Sequence, residues 1–180
     1  MSEKDNARIL DELSIAHSTE VKGYYFYKAA ADMVDDEHGK NVFVNLAKDE
    51  LNHIRAIKAI SASVREGLGW MKFSEAVKKG SEEAGEGLPI FQGENELIER
   101  LKTNESDTNA LHIAMENEEE AVKFYSRLLN EATDPMEKTL LTELLEMEKG
   151  HLKVLRWESE SVNATGFWCD MMEYSVEKEI

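Results

Sequence analysis

Two short stretches, DELNHIR at residues 49–55 and EMEKGHL at residues 146–152, decide the fold of this chain. Each holds a glutamate followed three positions later by a histidine: Glu50 with His53, and Glu148 with His151. In a helix, positions i and i+3 lie on one face about a turn apart, so the carboxylate and the imidazole can reach one ion. Both pairs interrupt an apolar stripe, where an unpaired charge is costly.

The two stretches are equivalent parts of an internal repeat. Shifting the chain by 98 positions aligns it with itself without a gap. The aligned identities include Leu13 with Leu111, Glu20 with Glu118, Phe26 with Phe124, Tyr27 with Tyr125, Asp36 with Asp134, Glu50 with Glu148, and His53 with His151. The chain is therefore predicted to consist of two homologous helical hairpins joined by a long connection.

Apolar residues at i, i+3, i+4 and i+7 predict four long helices, at about residues 6–34, 37–64, 107–131 and 135–160. The turn between the two helices of each hairpin is short, so each pair is predicted to be antiparallel. Asp134, Pro135 and Glu137 form a typical helix start, with an N-cap aspartate and proline at the first helical position.

The long connection, residues 65–106, holds most of the glycines and is predicted to contain short helices near 73–79 and 94–102. An all-α four-helix bundle of two antiparallel hairpins with one long crossover is the ferritin-like topology. We expect this bundle to span residues 1–161. The tail, residues 162–180, carries Phe167, Trp168, Met171 and Met172 and is predicted to pack on the bundle or on a partner subunit.

Each of the four predicted stripes carries one glutamate: Glu20, Glu50, Glu118 and Glu148. Four facing carboxylates cannot stay buried and unpaired, and two divalent cations would balance their charge. Oxygen and nitrogen donors suit iron or manganese, and zinc can replace either in a crystal, whereas the lack of thiolate argues against a structural zinc site. The alternative is that Glu50 and Glu148 form buried salt bridges with their histidines, but two imidazoles would then face four carboxylates.

The segments EVKGYYFY…DELNH (20–27, 49–53) and EEEAVKFY…MEKGH (118–125, 147–151) resemble the rubrerythrin-like di-iron proteins of the ferritin-like superfamily. The resemblance covers about residues 8–160. It implies that Glu20, Glu50, His53, Glu118, Glu148 and His151 hold two metals, with Glu50 and Glu148 bridging them. It also suggests that the hydroxyls of Tyr27 and Tyr125 bond to ligand carboxylates, although both could be ordinary core tyrosines.

The chain departs from the rubrerythrins in two respects. Its single cysteine, Cys169, cannot form the Cys₄ iron site of a rubredoxin module. The positions around Glu118 are Ala114, Met115, Ala121 and Val122, so the extra glutamate of that helix in rubrerythrins is missing. Both differences weigh against rubrerythrin-style peroxidase activity without affecting the metal site. His17, one turn before Glu20, could be an auxiliary ligand or proton carrier, but its counterpart is Met115, which favours a structural histidine.

These features predict a di-iron redox protein that reacts with H₂O₂ or O₂ and is reduced by an external donor such as a rubredoxin-like protein. Ferrous-iron oxidation or iron storage is the alternative, and a bundle that binds metal only for structure is a third. The net charge of −16 argues against nucleic acid and anionic membranes as partners. No apolar run or leader predicts membrane insertion or secretion, so we expect a cytoplasmic protein, as a homodimer.

Overall fold

The computed structural model describes residues 3–84 and 94–169, and these ranges are helical with short connections. The long helices are α1 (Glu3–Met33), α2 (Glu37–Arg65), α5 (Asp107–Glu131) and α6 (Pro135–Thr165), and two shorter helices, α3 (Phe73–Ala84) and α4 (Glu96–Thr103), lie in the crossover. Helix α1 packs along α2 and α5 along α6, α3 packs on α2, and α4 contacts α1 and α5. The predicted all-α fold of two hairpins and a crossover is confirmed.

The two hairpins start their second helices in the same way. The carboxylate of Asp36 accepts hydrogen bonds from the backbone N–H groups of His38 and Gly39, at 2.9 and 3.2 Å. Asp134, its counterpart in the repeat, accepts from those of Met136 and Glu137, at 2.7 and 3.1 Å. Each aspartate therefore satisfies backbone donors that have no partner within the helix.

Several helices are longer than the sequence predicted. Helix α1 begins at Glu3, α3 continues to Ala84, and α6 continues to Thr165. Helix α6 ends at Gly166, whose φ of 78° lies in the left-handed region that favours glycine. Its last turn therefore extends into the segment predicted to be the tail.

The apolar core forms two clusters, separated along the bundle by the predicted site. One cluster contains Tyr27, Phe43, Leu111 and Leu155, and the other contains Leu13, Ile57, Tyr125 and Leu144. On α1, α5 and α6 the glutamate of the stripe falls between the residues of the two clusters, and on α2 the second cluster begins at Ala56, after Glu50. Apolar side chains therefore enclose a polar layer at the middle of the bundle.

The tail packs on the bundle through Trp168, which is only 6% exposed. Its ring lies edge-on to Phe43, and its indole N–H donates to Asp107 Oδ2 at 2.7 Å. A Cβ atom on Gly39 would lie 2.3 Å from this ring, so the close approach requires glycine there. Residues 170–180, including Met171 and Met172, lie outside the described residues, as do residues 85–93 of the crossover.

Trp70 occupies the corresponding place in the first hairpin. It lies 98 positions before Trp168 and borders a small cavity with Ile9, Glu137 and Leu141. Glu137 and Leu141 correspond in the repeat to Gly39 and Phe43, the residues beside Trp168. The two-fold relation between the hairpins therefore extends past the ends of α2 and α6. Among the described residues, no helix is long and apolar enough to cross a membrane.

Candidate metal centre

The four stripe glutamates and the two histidines meet inside the bundle. Each long helix contributes one glutamate, and α2 and α6 each add the histidine one turn further on. Their exposed fractions are at most 3%. Water cannot solvate carboxylates buried this deeply, so their charges need protons, imidazolium groups or metal ions nearby.

Glu148 lies between the two histidines. Its Oε1 is 3.1 Å from His53 Nδ1, and its Oε2 is 3.3 Å from His151 Nδ1. The imidazole rings are stacked, with centroids 5.6 Å apart and an angle of 24° between their planes. A carboxylate in this place can offer one oxygen to each side of the cluster.

Each of the other three glutamates lies near one of the two histidines. Glu20 Oε2 lies 3.4 Å from His53 Nδ1, and Glu118 Oε2 lies 3.6 Å from His151 Nδ1. Glu50, on the same helix as His53, lies 3.6 Å from that ring nitrogen. In both histidines it is therefore Nδ1 that faces the carboxylates.

Two sets of donor atoms in this cluster are close enough to bind a metal ion. Within each set the atoms lie within 4.8 Å of one another. The first set comprises Glu50, Glu118, Glu148 and His151, and the second comprises Glu20, His53 and Glu148. Glu148 belongs to both sets, as a bridging ligand must, whereas Glu50 belongs only to the first. The bridging role of Glu50 stays a prediction.

The buried polar atoms of the cluster fit a bound cation. Among the described residues, no hydrogen-bond partner is found for Glu50 Oε2, Glu118 Oε2, both carboxylate oxygens of Glu148 and both ring nitrogens of His151. Buried polar groups are normally paired, and unpaired ones often mark an ion site. Carboxylate oxygens with imidazole nitrogens are also the donor set that suits iron or manganese. The residues present therefore fit a pair of metal ions.

Two buried tyrosines hold the outer glutamates, each from the opposite hairpin. Tyr27 on α1 donates its hydroxyl hydrogen to Glu118 Oε1 on α5, and Tyr125 on α5 donates to Glu20 Oε1 on α1. The two bonds are related by the 98-residue repeat. Each leaves the second oxygen of its glutamate beside a histidine. The tyrosines therefore fix the carboxylate orientation while leaving one oxygen of each available for a metal.

Burial and crowding change the protonation of the metal-free cluster. Burial and the negative charge of Glu148 raise the pKa of Glu118 to about 8. Burial and the neighbouring Glu20 raise the pKa of Glu50 well above its usual value. Burial would also raise the pKa of Glu148, but the two histidines lower it below its usual value. Protons thus replace part of the missing positive charge when no metal is bound.

The structure adds one residue that the sequence did not suggest. Asp49, immediately before Glu50, is 8% exposed, and its Oδ2 lies 3.4 Å from Nε2 of His151. The repeat gave no signal for it, because its counterpart is Met147. His17 is half-buried and belongs to neither donor set within residues 3–84 and 94–169. Burial and the positive charge of Lys58 lower the pKa of His17, which favours its neutral form.

The fold and the site define a ferritin-like helical bundle with a buried carboxylate and histidine cluster compatible with a di-metal centre. Comparison with protein families agrees: the sequence model of the Rubrerythrin family matches residues 11–158. The chain therefore belongs to the rubrerythrin family. Comparison with curated proteins and with solved structures gave no significant match.

Proposed function

We propose that this protein is a di-iron redox protein that reduces H₂O₂ or O₂. The observation that carries the proposal is the pair of buried donor sets that share Glu148. Several of their atoms have no hydrogen-bond partner in the part of the chain that the structure describes. Glu20 and His53 would hold one iron, Glu118 and His151 the other, with Glu50 and Glu148 between them. When bound as ferrous ions, the metals would supply two electrons to the oxidant.

The protein's own residues prepare the site for this reaction. The two apolar clusters keep bulk water from the cluster, which strengthens the electrostatic interactions inside it. Tyr27 and Tyr125 hold the outer carboxylates in place, and burial with the nearby glutamates raises the pKa of both phenols well above the ordinary value. Their hydroxyl groups therefore keep their protons and act as hydrogen-bond donors at neutral pH.

Electrons for further turnover would come from a separate donor, such as a rubredoxin-like protein, because this chain has only one cysteine. We propose that the protein works as a homodimer in the cytoplasm, without nucleic-acid or membrane partners. Manganese is the alternative metal for the same donors.

Anaerobic loading with Fe²⁺ followed by stopped-flow absorption against H₂O₂ and O₂ tests the proposal. We expect two irons per chain, rapid oxidation by one oxidant, and iron that stays bound and can be reduced again. Glu148→Ala should abolish the rapid phase, while Glu146→Ala, an exposed glutamate on the same helix, should keep it. Iron that leaves the protein after oxidation would instead indicate iron oxidation for storage. Failure to bind or oxidise iron would overturn the proposal.

A further inference from the structure

A glycine lies in the middle of α1 at a position where an alanine would fit. Gly23 is buried, one turn after Glu20. A Cβ atom there would lie 3.5 Å from Asn117 Nδ2 and Glu50 Cδ, and 3.6 Å from Glu50 Oε1, which are ordinary van der Waals distances. Glycine in the interior of a helix is less favourable than alanine. Close packing therefore does not account for the glycine.

The space that a side chain at Gly23 would fill, called here the Gly23 gap, lies between an amide group and a carboxylate of the cluster. Asn117 reaches it from α5 and is partly exposed, whereas Glu50 on α2 is buried. The two oxygens of Glu50 face different ways, because Oε2 lies 3.6 Å from His53 Nδ1 while Oε1 borders the gap. A small molecule in the gap would therefore touch the metal centre at Glu50 and the partly exposed Asn117 at its other end.

The repeat places different residues at the corresponding positions on the other side of the centre. Gly23 corresponds to Ala121, which has the methyl group that Gly23 lacks. Asn117 corresponds to Thr19, whose hydroxyl group donates to the backbone oxygen of Ile15 on its own helix, at 3.1 Å. The combination of a missing side chain and an amide donor therefore belongs to the side of Glu50 alone.

Hydrogen peroxide matches the two polar groups that border the gap. A carboxylate only accepts hydrogen bonds and an amide nitrogen donates them, and H₂O₂ can donate to the first and accept from the second. Both polar atoms lie somewhat beyond hydrogen-bond distance from the Cβ position of residue 23, so a molecule with two linked oxygen atoms can reach both. O₂ has no hydrogen to donate to the carboxylate. The gap therefore favours H₂O₂ over O₂.

We propose that H₂O₂ binds in the Gly23 gap, where the amide of Asn117 holds it against the carboxylate of Glu50. Gly23 provides the space, and Asn117 provides the hydrogen bond that orients the peroxide. The inference rests on the proposed function, in which the cluster binds two metals and reacts with a small oxidant. It adds the place where the oxidant binds and the two residues that select it.

The experiment measures peroxide binding without turnover, in protein loaded with Zn²⁺, which has no redox chemistry. H₂O₂ is added while NMR follows the backbone amides at positions 23 and 117, which should shift saturably in the wild type. Gly23→Ala fills the gap, and Asn117→Leu keeps the approximate size of the side chain but removes the donor. Each should weaken binding by about tenfold or more. Thr19→Ala, at the position that corresponds to Asn117, is the control and should bind peroxide as the wild type does.

Two further measurements separate peroxide binding from a structural role. Native mass spectrometry should find two Zn²⁺ ions in every variant, and Gly23→Ala should melt no lower than the wild type, because alanine favours the helix. In the Fe²⁺-loaded protein, both site variants should raise the half-saturating concentration of H₂O₂ by about tenfold or more. The ratio of the rate constants for H₂O₂ and O₂ should fall in both.

The absence of a saturable shift in the wild type, or unchanged peroxide binding in both site variants, would overturn the inference while leaving the two-metal site intact. An equal loss in Thr19→Ala would do the same. Loss of metal from Gly23→Ala would mean that the glycine makes room for Glu50 itself, and this result also contradicts the inference. Conversely, peroxide binding that depends on Gly23 and Asn117, with no oxidation of bound iron, would overturn the proposed reaction alone.

Discussion

At the scale of single residues, the tyrosine hydroxyls connect the two hairpins at the site. Tyr27→Phe removes the donor to Glu118, and Tyr125→Phe removes the donor to Glu20. Each carboxylate then becomes free to rotate away from its histidine, so we expect metal affinity to fall by about 10–100-fold. The measurement is chelator competition with Zn²⁺.

Tyr24→Phe is the control, because Tyr24 is buried on α1 but packs against Tyr25 and Lys28. An unchanged affinity in both site variants would mean that the hydroxyls do not orient the ligands.

Glu148 is the residue that the two donor sets share. Its two oxygens face different histidines, so Glu148→Ala removes a donor from both donor sets. We expect the metal count to fall from two toward one or none. His53→Ala removes one neutral donor, which water can partly replace, and should retain more metal. Native mass spectrometry of the loaded variants gives the counts. If the histidine variant loses both metals while Glu148→Ala keeps two, then Glu148 is not the shared ligand.

The sequence predicted six donor residues, which the structure brings together, because the repeat presents each type of donor twice. Asp49 could not be found in this way, since its counterpart is Met147 and its partner, His151, is distant in sequence. The unequal division of donors depends on side-chain positions inside the bundle, which spacing along a helix does not determine. Helical periodicity therefore identifies which residues face inward, but not which of them meet.

At the scale of helices, the crossover is held to the bundle by a close contact between backbones. A Cβ atom on Gly80 of α3 would lie 2.2 Å from the backbone oxygen of Arg55 on α2. Only glycine allows the two helices to approach this closely. The sequence indicated a short helix near 73–79, but neither its length nor this contact could be predicted, because both depend on packing against α2.

Gly80→Ala should therefore destabilise the protein. In an unconstrained helix, replacing glycine by alanine stabilises by roughly 0.5–1 kcal/mol. Here the added methyl group must push α3 away from α2, and we expect a net loss of about 1–3 kcal/mol. Urea denaturation followed by circular dichroism measures this change. Ser81→Ala, at the next position of α3, is the control and should change stability little. A more stable Gly80→Ala protein would show that the contact is loose.

The repeat also relates two tryptophans of the chain, Trp70 and Trp168. The indole N–H of Trp168 donates to Asp107, whereas Trp70 Nε1 has no partner within residues 3–84 and 94–169. The position that corresponds to Asp107 is Ile9, which offers no acceptor side chain. Trp70 and Trp168 are themselves 98 positions apart, which is the offset of the repeat. The two tryptophans therefore pack at equivalent places in the repeat but differ in the hydrogen bonding of their indole N–H groups.

At the scale of the whole molecule, metal binding and folding should be coupled. Without metal, the bundle must enclose up to four carboxylates between its apolar clusters. A ligand that binds only the folded state stabilises it, by about 2.7 kcal/mol at a hundred times its Kd. We expect chelation to lower the melting temperature and reloading to restore it, as measured by calorimetry. An unchanged melting temperature would mean that these glutamates do not bind the metal.

The metal-free protein should also become less stable as the pH rises. The pKa of Glu118 is about 8 in the folded protein and near 4.5 when unfolded, so between these values the folded state holds the extra proton. Burial and Glu20 shift the pKa of Glu50 in the same direction. The carboxylates around His151 outweigh its burial and raise its pKa, so its stabilising charge is likewise lost as the pH rises. A state that binds more protons loses stability with rising pH, by about 1.4 kcal/mol per pH unit for each proton.

Denaturation of the chelated protein at about pH 7 and about pH 8 measures this loss. His17 has the opposite effect on stability, because folding lowers its pKa. This effect is confined to pH values below about 6.5, the ordinary pKa of histidine. We expect the free energy of unfolding to fall by about 1–3 kcal/mol over this interval, because unfolding releases one to two extra protons. Glu118→Gln cannot ionise and should reduce the fall. The stability of the metal-loaded protein should hardly change between these pH values, because metal ions replace the protons. A chelated protein that is as stable at pH 8 as at pH 7 would show that the buried carboxyl groups are already ionised without metal.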